Sequence, residues 1–132
     1  MNLSLLKFII IQILFPILFG LVIYSFRSNV PANLDMIISP INHHIKIPNW
    51  ILFNLSDALW NYSFFSCILL IRINDKLKTK IIWLSIALIT SFIFEFLQKY
   101  NFIPGYFDLL DLLFMFASII IWIIINRRIL TN

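Results

Sequence analysis

The fold is decided by the stretch from Phe107 to Ile125, which reads FDLLDLLFMFASIIIWIII and is followed closely by Arg127 and Arg128. A helix needs about 20 mostly apolar residues to cross the roughly 30 Å hydrocarbon core of a bilayer. The stretch meets that length, and a basic pair at its end is typical of a helix that stops at the membrane surface. We therefore predict a membrane-spanning helix at 107–125.

Three more apolar stretches of similar length precede this one, at 8–26, 50–71 and 81–97. The chain is 61% hydrophobic and 12% charged, whereas a soluble domain is nearer half apolar and a quarter charged. We expect an all-α membrane protein with a single transmembrane domain over residues 1–132. Its fold would be a four-helix transmembrane bundle whose outer surface is solvated by the lipid bilayer.

The first stretch contains Pro16 and Gly20, so we expect Pro16 either to kink this helix or to pack against a neighbour. A cleaved signal peptide is the alternative interpretation of 8–26. The apolar run is long for such a peptide, and no small-residue cleavage site follows it. A membrane-spanning helix is the better prediction.

The distribution of Lys and Arg predicts the orientation. Seven of the ten precede the first stretch, lie between the second and third, or follow the fourth, and three remain for the other side. Because basic residues favour the cytoplasmic side, both termini are predicted to be cytoplasmic and 27–49 to form an outer loop. Basic residues at the ends of apolar runs also argue against a nucleic-acid partner. The seven are Lys7, Arg72, Lys76, Lys78, Lys80, Arg127 and Arg128.

Polar residues recur at helical spacing within three of the four stretches, so each set lies on one helix face. A carboxylate inside a bilayer costs about 2.5–3.5 kcal/mol even on insertion scales, so these positions need an explanation. The sets are Asn54, Asp57 and Asn61; Ser91, Glu95 and Gln98; and Asp108, Asp111 and Ser118.

With the predicted orientation, all four carboxylates of these sets fall in the same outer layer of the membrane. Asp57, for example, lies about 10 Å below the outer end of its helix at 1.5 Å per residue. We therefore predict an acidic pocket that opens to the outside. Its predicted members are Asp57, Glu95, Gln98, Asp108 and Asp111, with Asn54, Asn61 and Ser91 as supporting polar residues.

Each polar residue also has a purely structural interpretation. Asp108 follows Pro104-Gly105 and is a candidate N-cap, and Asp111 is placed to complement the dipole of its helix. Glu95 would be able to pair with Lys99 four residues later or to reach the interface. Asn and Gln in spans often join helices by hydrogen bonds, which applies to Asn54, Asn61 and Gln98. Asp57 is the hardest to explain in this way, because it has no basic residue nearby in sequence and is surrounded by apolar helix.

Other chemistry is weakly indicated. His43 and His44 lie in the outer loop, but adjacent histidines point in different directions, so we expect a surface pair and no metal site. We find no Ser–His–acid arrangement and no cofactor motif. We therefore expect no cofactor, and an intramembrane hydrolase or transferase is disfavoured.

Residues 80–125 resemble the C-terminal part of VanZ-like membrane proteins. The resemblance rests on Glu95-Phe-Leu-Gln98 and on the Asp108-Leu-Leu-Asp111 pair that opens the last helix. The chain departs from that family where an Arg usually precedes the Asp pair, since Gly105-Tyr106 stands here. Asn and Gly usually follow the pair, where Phe114 and Ala117 stand here, and Ala58 and Asn61 replace a Lys and a His after Asp57. The resemblance implies a multi-pass protein of the bacterial cytoplasmic membrane, without a defined reaction.

Two functional hypotheses follow. In the first, the acidic pocket binds an amine, a cation or an envelope precursor, and the protein binds or modulates and does not catalyse. In the second, the chain is a small accessory subunit that docks through its helices onto partner subunits of a larger membrane complex.

Overall fold

The computed structural model describes residues 3–26, 48, 50–103 and 107–131, and all regular structure in these ranges is helical. We number four helices: α1 at 3–24, α2 at 51–71, α3 at Leu77–Lys99 and α4 at Leu109–Thr131. Helix α1 consists of Leu3–Phe8, a π-helical turn at Ile9–Leu14, and Phe15–Tyr24. Helix α2 begins with a π-helical turn at Ile51–Leu55 and continues over Ser56–Ile71. The expected all-α architecture with four helices is confirmed within these ranges.

Three helices in the described part of the chain are long and apolar enough to cross a membrane, namely Ser4–Tyr24, Leu77–Lys99 and Leu109–Leu130. The protein is therefore an integral, multi-pass membrane protein. Helix α2, predicted at 50–71 as a further span, is not among the three. The predicted outer loop at 27–49, with His43 and His44, lies outside the described residues except for Pro48.

Helix α2 occupies the centre of the bundle and contacts α1, α3 and α4. Its polar side chains Asn54, Ser56, Ser63 and Ser66 are buried there, at 2% exposure or less. The other helices can be more apolar because their outer faces meet lipid, while α2 directs its polar groups to neighbouring helices. The composition that sets α2 apart from the three spans thus reflects its central position.

The packed core lies where α2, α3 and α4 meet. It consists of Phe65 and Leu69 from α2, Ala87 from α3 and Trp122 from α4, each 3% exposed or less. The rings of Phe65 and Trp122 are 5.7 Å apart. The indole Nε1 of Trp122 donates to Oγ of Ser66 at 2.8 Å, so the one polar atom of this large side chain is satisfied.

Pro16 is buried, in the segment of α1 that contacts α2. The π-helical turn immediately before it is a common way for a helix to accommodate a residue that lacks a backbone N–H. In this turn the Ser63 hydroxyl of α2 donates to the carbonyl oxygen of Ile13 at 3.2 Å. Gln12, the polar residue of the turn, accepts a hydrogen bond from the hydroxyl of Tyr62. Both contacts join α1 to α2.

Helices α3 and α4 extend beyond the apolar stretches at their shared end. Helix α3 begins at Leu77, four residues before the predicted 81, and α4 runs through Arg127 and Arg128 to Thr131. The extra turns contact each other, because the buried Lys80 donates from Nζ to the carbonyl oxygen of Ile129 at 2.9 Å. A cation there also complements the C-terminal end of the α4 dipole.

Candidate functional site

One cavity of about 420 Å³ lies between α2, α3 and α4 and is lined by carboxylates from all three helices. We call it the acidic cavity, and define it by Asp57 of α2, Glu95 of α3 and Asp111 of α4. Gln98, Asn61 and Ser91 also line it. The structure thus brings together six of the eight residues that sequence reasoning grouped, and leaves out Asp108 and Asn54.

Helical spacing positions these side chains. Asp57 and Asn61 lie one turn apart on α2, and Ser91, Glu95 and Gln98 follow the same face of α3. Asp111 stands in the first turn of α4. Carboxylates from three different helices therefore reach one cavity. Even the two that are nearest in sequence, Glu95 and Asp111, lie on different helices, on either side of the α3–α4 connection.

Asn61 joins all three helices beside the acidic cavity. Its Oδ1 accepts a hydrogen bond from Oγ of Ser91 at 3.0 Å, and its Nδ2 donates to Oγ of Ser118 at 3.4 Å. Ser118 in turn donates to the backbone carbonyl of Met115 at 2.7 Å. This chain of hydrogen bonds is the interhelical role that polar residues in spans often have. It fixes α2 between α3 and α4 at the depth of the cavity.

Asn54 does not line the acidic cavity, but it holds one of its members. Only 2% exposed, it donates from Nδ2 to Oδ1 of Asp111 at 2.7 Å. Hydrogen bonds to ionised acceptors are shorter and stronger than those between neutral groups. Asn54 is therefore a positioning residue for the Asp111 carboxylate.

Asp108 lies at the start of α4 and outside the acidic cavity. It is exposed, its Oδ1 accepts a hydrogen bond from the backbone N–H of Leu110 at 3.1 Å, and its carbonyl accepts one from the N–H of Asp111 at 3.1 Å. A side-chain oxygen that satisfies a free N–H in the first turn is the usual function of an N-cap aspartate. The geometry corresponds to the capping interpretation of Asp108.

Glu95 is half-buried, and its Oε2 atom is buried without a hydrogen-bond partner among the described residues. The carboxylates of Asp111 and Asp57 line the same cavity. No ion pair joins Glu95 to Lys99, both of which are described; the Lys99 ammonium lies instead 5.2 Å from the centroid of the Phe107 ring. A buried carboxylate oxygen without a partner is costly unless something donates to it.

Asp57 is the exposed member of the acidic cavity, whereas Glu95 and Asp111 are half-buried. Its Oδ1 lies 3.4 Å from the hydroxyl of the buried Ser56. The three acids thus differ in solvation, from exposed to partly enclosed. A ligand that enters from the exposed side would meet Asp57 before the more enclosed Glu95.

The structure adds lining residues that sequence reasoning did not select. They complete walls that are largely apolar. Four of them are direct sequence neighbours of a polar residue in the sets on α2 and α3, and Phe64 and Met115 lie three or four residues from one, about one helical turn away. This proximity is the signal that would have identified them. No Lys or Arg is found among the described residues that line the cavity. The added residues are Ala58, Trp60, Phe64, Thr90, Phe94 and Met115.

The described residues contain no group of three His, Cys, Asp or Glu side chains placed to hold a metal ion. Comparisons with protein-family models, curated proteins and solved structures found no match to this chain. The chemical character of the site therefore rests on its own geometry. Three acids, two amides and apolar walls around one opening favour a ligand that carries positive charge.

Proposed function

We propose that this chain is a VanZ-like protein of the bacterial cytoplasmic membrane whose acidic cavity binds the cationic group of an organic ligand on the outer side. The observation that carries the proposal is the convergence of Asp57, Glu95 and Asp111, from three helices, on one space. In this function the protein binds or modulates an envelope component and does not catalyse a reaction. Of the four residues that carry the VanZ-like resemblance, Glu95, Gln98 and Asp111 line the cavity, whereas Asp108 caps α4.

The proposal includes a fourth crossing by α2 and cytoplasmic termini. Residues 51–71 extend about 30 Å at the helical rise, which equals the thickness of the hydrocarbon core. The buried polar residues of α2 face other helices, so a crossing does not bring them into lipid. With the basic segment from Arg72 to Lys80 on the cytoplasmic side, the acidic cavity lies towards the outside.

The size and walls of the cavity favour an organic cation. A volume of about 420 Å³ is within the roughly 300–1,000 Å³ of small-molecule sites. An ammonium group is able to donate to the exposed carboxylate of Asp57, and the exposed Phe64 and Phe94 rings provide cation–π surfaces. An amine-bearing envelope precursor combines these features, since it pairs a positive group with a larger body that the apolar walls contact.

The test is a binding measurement with a primary-amine probe. Dansylcadaverine would be titrated into the protein in lipid nanodiscs, and the fluorescence would be followed for wild type and for Asp57→Asn combined with Glu95→Gln. Because hydrogen bonds to charged groups contribute about 1.5–3 kcal/mol, we expect the double substitution to weaken binding at least about tenfold.

Asp108→Asn is the matched control for this test. It removes one negative charge from the same end of the bundle, outside the cavity, and Asn caps helices as well as Asp does. We expect its affinity for the probe to stay within about twofold of wild type. Equal binding by wild type and the double variant would refute the cavity as a cation site.

The second proposed function is that of an accessory subunit of a larger membrane complex, and it is supported by the exposure of α3. Only 6% of its 18-residue apolar segment is buried inside the protein, against 22% of the corresponding segments of α1 and α4. A helix so little covered by its own chain has a surface available for a partner helix. Purification in mild detergent with identification of co-purifying chains would test this function; a monodisperse single chain would count against it.

A further inference from the structure

A second concave surface lies between α2 and α3 at the basic end of the bundle. We call it the α2–α3 groove; it has a volume of about 270 Å³ and is separate from the acidic cavity, although Phe64 and Thr90 border both. Its remaining lining residues are Ile68, Ile71, Arg72, Trp83, Ile86 and Ala87. Arg72 is the only charged residue among them.

The walls of the groove suit hydrocarbon. Ala87 is 2% exposed, and its small side chain leaves room between larger neighbours such as Ile86, which is 47% exposed. The one hydroxyl in the lining, that of Thr90, donates to the carbonyl oxygen of Ile86 at 2.9 Å. The groove therefore presents an apolar surface in which this hydroxyl is already satisfied, as contact with an alkyl chain requires.

The length of the groove corresponds to one leaflet. From Arg72 to Phe64 the helix rises about 12 Å at 1.5 Å per residue. Half of the roughly 30 Å hydrocarbon core is about 15 Å. An acyl chain that starts at the level of Arg72 would follow the groove to near the middle of the membrane, where Phe64 and Thr90 adjoin the acidic cavity.

Arg72 is held at the mouth of the groove with donors to spare. Its guanidinium lies 4.4 Å from the centroid of the Trp83 ring, an arrangement that fixes its plane. Nη1 is 3.5 Å from Oδ2 of Asp75, which exceeds an ordinary N–H···O hydrogen bond, and the side chain is 34% exposed. A guanidinium of this kind is suited to bidentate contact with a phosphate.

The surroundings of Arg72 favour a lipid with net negative charge. Lys76 and Lys78 are exposed in the same loop and first turn of α3, and Asp75 is the one acid within residues 72–80. These lysines attract a phosphate but repel the choline or ethanolamine cation of a zwitterionic lipid. Clusters of Lys and Arg at the end of membrane helices are a general mode of anionic headgroup binding.

We infer that the α2–α3 groove is a binding site for an anionic phospholipid, with its phosphate on Arg72 and one acyl chain along Phe64, Ile68 and Ile86. The site does not depend on the acidic cavity or on the orientation of the protein in the membrane. Apart from Phe64, it assigns a function to a surface that the amine-binding proposal leaves unused.

The experiment measures lipid retained by the purified protein. The chain would be reconstituted in equal amounts of phosphatidylglycerol and phosphatidylcholine, extracted in mild detergent, and its retained lipid quantified by mass spectrometry. For wild type we expect phosphatidylglycerol to be enriched about fivefold, the factor that corresponds to one basic side chain near an anionic headgroup. If wild type retains the two lipids in the same ratio as the input, the inference is overturned by this measurement alone.

Two substitutions separate the two parts of the site. Arg72→Gln removes the charge and should return the ratio to that of the input, while Ile86→Trp fills the groove and should reduce retained phosphatidylglycerol with Arg72 intact. Arg128→Gln is the control, because Arg128 is exposed on α4 at the same end but does not line the groove. If Arg128→Gln lowers the enrichment as far as Arg72→Gln does, the basic end attracts phosphatidylglycerol non-specifically and the α2–α3 groove is refuted as a specific site.

Discussion

Asn54 on α2 donates a 2.7 Å hydrogen bond from Nδ2 to Oδ1 of Asp111 on α4. The donor is 2% exposed, and the acceptor lines the acidic cavity. A buried amide thus fixes the position of a carboxylate that is exposed to the cavity. It also joins the central helix to α4 close to the proposed ligand, so stability and binding are linked through this one contact.

Replacing Asn54 with Ala should therefore lower both stability and affinity. Interhelical hydrogen bonds in membrane proteins average about 0.6 kcal/mol and reach about 1.7 kcal/mol. The charged acceptor places this bond towards the upper end, so we expect a loss of about 1–2 kcal/mol in the free energy of unfolding. Unfolding in mixed micelles would measure it, and the dansylcadaverine titration would report the change in affinity.

A double-mutant cycle with Asp111→Asn isolates the pair itself. If the losses for Asn54→Ala and Asp111→Asn add without a coupling energy, the two side chains do not interact in the membrane as they do here.

Lys80→Met should destabilise the end of α4. The Lys80 ammonium is 1% exposed and donates to the carbonyl oxygen of Ile129 at 2.9 Å. Methionine keeps much of the side-chain volume but leaves that carbonyl without its donor and the helix end without a cation. We expect faster amide hydrogen exchange in the last turns of α4 and a loss of about 1–2 kcal/mol.

Lys78→Met provides the comparison for Lys80, since Lys78 is exposed two residues earlier on α3. Its exchange rates should match those of wild type. Equal effects of the two substitutions would show that net charge, and not the contact with Ile129, stabilises this end.

Gly20→Ala should disturb the contact between α1 and α2. A Cβ atom at this position would lie 2.5 Å from Nε1 and 2.8 Å from Cδ1 of Trp60, and 3.4 Å from the backbone oxygen of Ser56. Contacts of this kind force a shift of the indole or of the helix, at a cost of about 1–3 kcal/mol. Thermal unfolding followed by circular dichroism would detect it.

The combination with Trp60→Leu tests the cause. A smaller side chain at position 60 should make Gly20→Ala nearly neutral relative to Trp60→Leu alone. A full loss in this background would mean that Trp60 is not what limits the space at Gly20.

Ser66→Ala should leave the indole N–H of Trp122 without its acceptor, because Oγ of Ser66 lies 2.8 Å away. Both residues are 1% exposed or less, so water cannot replace the bond without opening the core. We expect a loss of about 1–3 kcal/mol in unfolding free energy. In a Trp122→Phe background, which has no N–H to satisfy, Ser66→Ala should cost clearly less; an equal cost in both backgrounds would contradict the assignment.

Much of the site was accessible to sequence reasoning because it depends on two local properties. Helical periodicity placed Asp57 and Asn61 on one face, and the orientation predicted from Lys and Arg predicted a similar depth for the carboxylates. A shared face and a shared depth sufficed to group Asp57, Glu95 and Asp111. The sequence did not separate the roles of Asp108 and Asp111. Both lie on the same face at the start of α4, but only Asp111 lines the cavity, while Asp108 caps the helix.

Other contacts had no signal in the sequence. Lys80 stands among basic residues of a short connection, and nothing in that pattern separates it from the exposed Lys78. Its burial depends on α4 continuing past Arg128 beside α3. Similarly, Trp60 and Gly20 are 40 positions apart, and their contact follows from the way α1 lies against α2.

The sequence by itself predicted that this chain is a helical membrane protein with four apolar stretches, three of which form helices suited to a membrane, and which polar residues share a helix face. These follow from local composition and from the 3.6-residue period of the helix. The tertiary structure alone decided that α2 is central, that Asn54 supports Asp111, and that Asp108 stays outside the acidic cavity. The rotation of each helix about its axis is set by side-chain packing between helices, which no segment specifies without its neighbours.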